Sequence, residues 1–182
     1  NKKPINIYGK TKALGEEVIE DILGETNQAI ILRTSWLMGP VGRNFLTKMI
    51  QLNKERDEIQ VVKDQIGCPT STSTLSNLCW TIIKNTASLE KIGRKAKIFH
   101  CCEEGKASWY DVALFIRDMS LKLNLIKRAA LLTPISTNES NNSAKRPRYS
   151  LLDCSSTKEI FDFKPPSWKR SIMDILLSIK KL

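Results

Sequence analysis

The period of the apolar positions changes several times along the chain, and each change marks an element. Between Tyr8 and Leu23 the residues Ala13, Leu14, Val18, Ile19 and Ile22 recur at helical spacing, while Glu16, Glu17, Glu20 and Asp21 fill the polar faces. The spacing predicts a helix from about Tyr8 to Leu23, stopped at Gly24. AIILRTSW, 29–36, opens on an unbroken apolar run, which suits a strand buried on both faces beneath helices. Gly39-Pro40 and Gly42 then break the chain; NFLTKMIQLNKERD, 44–57, returns to helical spacing and EIQVV, 58–62, reads as a short strand. DQIGCPTSTSTL, 64–75, reads as a polar loop, leading into a helix from about Ser73 to Ala87 with a Ser or Thr cap.

Further along, AKIFHCC, 96–102, is another short strand, and Ser108 with Asp111 resembles a capping box ahead of WYDVALFIRDM. From Pro134 to Pro147 the Ser- and Asn-rich composition predicts a loop. A last helix follows Pro165-Pro166, from about Trp168 to Lys180. Alternating strands and helices favour an α/β architecture with a parallel sheet. There is no repeat and no linker long enough to separate two domains. Only two or three strands suit a parallel core, fewer than a doubly wound sheet needs.

Composition narrows the class. At 182 residues, 41% hydrophobic and 26% charged, the chain is expected to be soluble and globular with a real core. No apolar run is long enough to cross a bilayer, and Asn1-Lys2-Lys3-Pro4 leads into no signal-peptide core. Asn1 is not an initiating methionine, so the chain is expected to be a piece of something longer. The formal charge of +10 is spread along the sequence without a nucleic-acid motif, which reads as a solvated basic surface with neither nucleic acid nor membrane as partner. Cys68, Cys79, Cys101, Cys102 and Cys154 are odd in number and show no Cys-x-x-Cys spacing. They suggest neither a disulfide framework nor a metal site, and fit a reducing cytoplasm. His100, the single histidine, reads as structural.

One pair of residues carries candidate chemistry. Tyr8 and Lys12 lie one turn apart on the same face of the first predicted helix. A ketone accepting hydride accumulates negative charge on oxygen, and a phenol can deliver the proton that neutralises it. A free phenol titrates near about 10, and a neighbouring ammonium favours its ionised form. Tyr110 and Tyr149 have Leu114 and Asp153 at the matching positions, so only Tyr8 qualifies.

The surroundings of the pair add weight. PINIYGKTKALGEEVI, AIILRTSWLMGPVGRNF, VVKDQIGCPTSTSTLSNL, IFHCCEEGKASWYDVA, KRPRYSLLDCSSTKEIF and PPSWKRSI run in order through nearly the whole chain. Together they resemble the extended branch of the short-chain dehydrogenase/reductase superfamily, and within it the dTDP-4-dehydrorhamnose reductase family. The Tyr-Gly-x-Thr-Lys block is shared with sugar-nucleotide epimerases; RTSW, DQIGCPT and SWYDVA are more characteristic of the reductase. The resemblance implies reduction of the 4-keto group of dTDP-4-dehydro-L-rhamnose to dTDP-L-rhamnose, with NADPH or NADH as cofactor and a dTDP-sugar as substrate.

On that resemblance Tyr8 is the proton donor and Lys12 holds the nicotinamide ribose. Thr34 and Ser35 lie near the nicotinamide, Trp36 walls the sugar, and Asn44, Gln65, Thr70 and Arg146 hydrogen-bond sugar or diphosphate. Each has a structural alternative. Trp36 also suits core packing, Gln65 and Thr70 the backbone of their own loop, and Arg146 a pair with Asp153. Ser108 reads as a cap, Trp109 and Trp168 as buried anchors, and Arg33 as half of an ion pair.

The chain departs from the family in one large respect. None of the glycines at 9, 15, 24, 39, 42, 67, 93 and 105 forms the strand, glycine-rich turn and helix that receive a pyrophosphate. The Ser or Thr that normally precedes the catalytic tyrosine is also absent. Residues 1–182 are therefore expected to be one truncated reductase-like unit. It would hold the C-terminal part of a Rossmann-like parallel sheet flanked by helices, interleaved with a small α/β substrate-binding lobe. Its partner would be the missing N-terminal half, and a homodimer stays open. The rival expectations are a related sugar-nucleotide epimerase or dehydratase, and a non-catalytic regulatory subunit that reuses the fold.

Overall fold

The computed structural model describes residues 2–26, 28–85, 97–140 and 144–182, and among these residues four pairs of strands, three parallel and one antiparallel, are set among six α-helices. Helix α1, Ile7–Leu23, starts at Asn6, whose side chain accepts the Gly9 N–H at 2.7 Å. It ends at Gly24, whose N–H donates to the Glu20 carbonyl. Strand β1, Ile30–Thr34, runs parallel to β6, Lys97–Cys101, with Leu32 opposite Phe99. The expectation of a strand buried on both faces is not met. β1 is half-buried until it emerges at Thr34, because β6 is its one strand neighbour among the described residues. Helices α3, Thr72–Lys84, and α5, Ser155–Phe161, close a small core with β6 through Leu78, Ile82, Phe99, Cys101 and Phe161.

The larger core lies under the rest of the chain. Strand β3, Glu58–Val62, pairs in parallel with β8, Leu131–Ile135. In β3 the exposed Glu58 and Gln60 alternate with the buried Ile59 and Val61, the period of a one-faced sheet. Against this sheet packs α4, Trp109–Lys122, and against α4 pack α2, Phe45–Glu55, and α6, Trp168–Lys181, with Leu46, Val112, Ala113, Ile116 and Leu176 fully buried. Capping boxes start α2 at Asn44 and α4 at Ser108, the latter with Asp111 as its reciprocal partner. Trp168 is buried, as its reading as an anchor requires.

Three local expectations change. The segment 64–75 holds two strands of two residues each: β4, Ile66–Gly67, antiparallel to β7, Ala107–Ser108, and β5, Thr70–Ser71, parallel to β2, Leu37–Met38. The loop expected from Pro134 begins inside β8 and contains a turn of 3-10 helix at Thr137–Glu139. α3 starts at Thr72 on a Ser71 cap; its expected end at Ala87, like residues 141–143, lies outside the described residues. All five cysteines are free; burial pushes the Cys101 thiol up to about 12. The ring Nδ1 of His100 sits 2.9 Å from the Asp153 carbonyl, a structural contact. Among the described residues no group of His, Cys, Asp and Glu is placed to hold a metal, and no helix is long and apolar enough to cross a membrane.

Candidate active site

The C-terminal end of β1 is where an open α/β sheet presents ligand groups. Here the chain leaves β1 through Thr34 and Ser35 and turns sharply at Trp36, whose φ of 48° is left-handed. The turn is stitched to the segment below it. Ser35 Oγ donates to the Cys68 carbonyl at 2.9 Å, and Thr70 N–H donates to the Trp36 carbonyl at 3.2 Å. Thr70 Oγ1 donates to the Ser35 carbonyl at 2.7 Å and lies 3.3 Å from the Cys101 carbonyl.

Trp36 stacks on Trp109, with ring centroids 3.7 Å apart and planes 16° from parallel. Phe45 tilts against Trp109 from α2, at 4.5 Å. Gly67 passes close behind. A Cβ there would fall 2.8 Å from Trp36 Cε2 and Cζ2 and from Ser150 Oγ, so any side chain would force those groups to shift. Ser150 is held by its N–H to the Ile66 carbonyl at 2.8 Å. Asn6 donates to the Lys145 carbonyl at 2.8 Å and ties the start of α1 to the segment carrying Arg146.

These ties enclose a cavity of about 380 Å³. Tyr8, Ser35, Trp36, Gln65 and Arg146 line it together with Asn6, Trp109 and Ser150. Among the described residues the wall has one cation, Arg146, and no carboxylate, which suits an anionic ligand with an apolar face. Tyr8 is 71% exposed, and Lys12 lies beside it with Nζ 5.8 Å from its ring centroid. Gln65 is 7% exposed and donates to Thr137 Oγ1 at 3.2 Å. Thr137 is itself held by Asp64, and its hydrogen bonds keep the Asp64 carboxyl below its usual range. Three other hollows, of about 400, 520 and 500 Å³, are no smaller. None of the three meets Tyr8, Lys12 or the pair of Trp36 and Trp109, so chemistry rather than volume selects the site.

The structure divides the residues named from sequence. Tyr8, Ser35, Trp36, Gln65 and Arg146 share one cavity, and Lys12 lies beside Tyr8 without lining it. Thr34 is exposed at the strand end, outside the wall. Asn44 has another duty: it caps α2, accepting the Thr47 N–H at 3.2 Å and donating to the Gly39 carbonyl at 2.9 Å. Thr70 is fully buried, its hydroxyl spent on backbone. Trp109, expected as a buried anchor, is half-buried in the cavity wall. Asn6 and Ser150 had no sequence signal as wall residues, although an Asn ahead of a helical run does mark an N-cap. Arg33 pairs with Glu16: Nε donates to Oε1 at 2.7 Å and a terminal nitrogen to Oε2.

Comparison with known proteins bears on this arrangement. The RmlD substrate binding domain family matches residues 1–180. A dTDP-4-dehydrorhamnose reductase from Aggregatibacter actinomycetemcomitans is 36% identical over 172 residues, covering 94% of this chain and 57% of that protein. The spore coat polysaccharide biosynthesis protein SpsK of Bacillus subtilis is 34% identical over 173 residues, covering 95% of this chain and 54% of its own length. Among solved structures, a dTDP-4-dehydrorhamnose reductase from Bacillus anthracis in complex with NADP superposes with a TM-score of 0.83 at 32% identity, over 97% of this chain and 57% of that one. The chain thus spans little more than half the length of these relatives.

Proposed function

This chain belongs to the RmlD substrate binding domain family, and on that premise we propose that it carries the proton donor and the sugar side of a reductase. The reaction is reduction of the 4-keto group of dTDP-4-dehydro-L-rhamnose to dTDP-L-rhamnose. The observation that carries the reading is the single cavity shared by Tyr8, Trp36, Gln65 and Arg146, contributed by separate segments of the chain. The relatives named for this activity and the NADP complex of one of them support it.

Each group has a role that its place allows. Tyr8 donates the proton from Oη to the substrate carbonyl oxygen. Lys12, one turn on, holds a ribose hydroxyl and sets a positive charge beside the phenol. Trp36 and Trp109 offer an apolar wall to the sugar, Gln65 presents its amide to the hydroxyls, and Arg146 presents a planar fork of donors to the diphosphate. Thr34 and Ser35 border the nicotinamide. Asn44 and Thr70 do not enter this list, because their side chains are engaged elsewhere. A reduced nicotinamide, when bound, supplies the hydride. The residues present fit its ribose end, where Tyr8 and Lys12 are both exposed.

They offer no glycine-rich turn for its pyrophosphate. We assign that task to a dinucleotide-binding half in the stretch of the relatives that this chain does not span. Such a half would also cover the exposed apolar side of α1, formed by Ile7, Leu14, Val18 and Ile22.

The test has two arms. The intact protein should oxidise NADPH in the presence of a dTDP-linked 4-keto-6-deoxyhexose; no turnover with any such sugar overturns the activity. Calorimetry on the 182-residue chain should give weak NADPH binding. Tight stoichiometric binding would overturn the division of labour between the halves.

A further inference from the structure

Trp36 holds a backbone conformation that bulky L-residues avoid, at φ 48°. Such a residue persists only where its surroundings over-determine it. Here the surroundings are specific. Trp109 lies flat on its indole at 3.7 Å, and Gly67 leaves the space that a Cβ, 2.8 Å from Cε2 and Cζ2, would take.

Both constraints come from one piece of sheet. β4 and β7 are antiparallel, with Gly67 opposite Ala107 and Ile66 opposite Ser108, and Trp109 follows β7 directly as the first residue of α4. Ser108 fixes that start, because its N–H and its hydroxyl both donate to Asp111 Oδ2, at 2.8 and 2.7 Å. Phe45 braces Trp109 from α2. Both indoles rest on the larger core, yet both stay half-buried and line the cavity, so the stack is presented to the cavity rather than sunk beneath it.

We propose that Trp109 and Gly67 are positioning residues, which act through Trp36 to lock its indole in the cavity wall and so set the fit of the sugar ring. The inference rests on the reading of this cavity as the sugar site. Two rings stacked 3.7 Å apart restrain each other's rotamers, so the wall is set before the sugar arrives. That is how preorganisation turns apolar contact into selectivity for a ring of one shape.

The experiment compares Trp109→Leu, Trp109→Phe, Gly67→Ala and Trp36→Leu in the intact protein. The readouts are the exciton couplet of the paired indoles in circular dichroism, KM for the sugar nucleotide, KM for the nicotinamide cofactor, and the thermal midpoint. Trp109→Leu should abolish the couplet and raise the sugar-nucleotide KM on the order of tenfold, with the cofactor KM unchanged. Trp109→Phe should also lose the indole couplet, yet keep the sugar KM within about twofold because a flat ring still backs Trp36. Gly67→Ala, which adds one methyl group, should raise the same KM and alter the couplet.

Unchanged sugar KM in both Trp109→Leu and Gly67→Ala, with only the thermal midpoint lowered, would reduce Trp109 to packing. A Trp109→Phe variant as impaired as Trp109→Leu would overturn the role of the flat ring. If Trp36→Leu itself leaves the sugar KM untouched, the cavity is not the sugar site. That failure is separate from the other two, because it concerns Trp36 alone.

Discussion

Helices α1 and α4 both bring an aromatic residue to the same cavity, and they are held in opposite ways. α4 sinks Val112, Ala113 and Ile116 to zero exposure and is packed by α2 and α6. α1, three residues longer, buries none of its residues. Its ties are polar: the Asn6 bond to Lys145, the Glu16–Arg33 pair, and Lys2 bridging to Glu16 and Glu20. The wall proposed for the sugar is thus packed against the core, while Tyr8, the proposed proton donor, sits on a helix aligned by charge and hydrogen bonds. A cavity lined from both can be rigid on one side and adjustable on the other.

The sharpest way to break that comparison is to cut the two helices equally. Ile116→Ala should destabilise by about 2–5 kcal/mol in urea titrations, the cost of a buried cavity. In the 182-residue chain Val18→Ala on α1 should stay within about 0.5 kcal/mol, since Val18 is there 55% exposed. Similar losses at both sites would show that α1 is as firmly packed as α4. Function should divide the other way. Tyr8→Phe should lower turnover on the order of 10²-fold or more, equivalent to about 2.7 kcal/mol, and leave the thermal midpoint unchanged. Lys12→Met should lower turnover and weaken cofactor binding together. Near-normal reduction by both variants across several pH values would remove the pair from the mechanism.

Smaller effects refine the picture. Asn44→Ala should cost about 1 kcal/mol of stability as a lost cap. Its sugar-nucleotide KM should not move, and a raised KM would return Asn44 to the list of ligands.

Glu16→Gln tests the polar tie of α1. The hydrogen bond from Arg33 holds the Glu16 carboxyl below its ordinary range. The pair therefore stabilises the fold above the usual glutamate pKa of about 4.3, and loses that effect as pH falls through the lowered native value. Arg33 is 37% exposed, so screening keeps the difference between wild type and variant near ~1 kcal/mol at neutral pH. Urea midpoints should converge in acid. A constant gap from neutral pH down to pH about 3 would mean that the charge of Glu16 is irrelevant.

Much of this fold was legible in the chain itself. The helical spacing from Tyr8 to Leu23, the alternation of EIQVV and the Ser108–Asp111 box all rest on neighbours within a few residues, so periodicity and capping report them directly. The same local logic put Tyr8 and Lys12 on one face. It missed β8, where Pro134 reads as a loop residue although the strand bonds to β3 alone among the described strands. It also missed α5, whose seven residues are too few to show a period.

Only the tertiary structure decided what the polar and aromatic residues of the site do. Asn44 and Thr70 looked like ligands because hydrogen-bonding groups in a loop are free until something nearby claims them. The carbonyls that claim them, Gly39, Ser35 and Cys101, arrive with the folding of other segments. Trp36 and Trp109 meet because β4 pairs with β7, and Gly67 is a glycine because of what lies behind it. A residue's element is set by its near neighbours in sequence, and its role by the groups that long-range packing brings to its side chain.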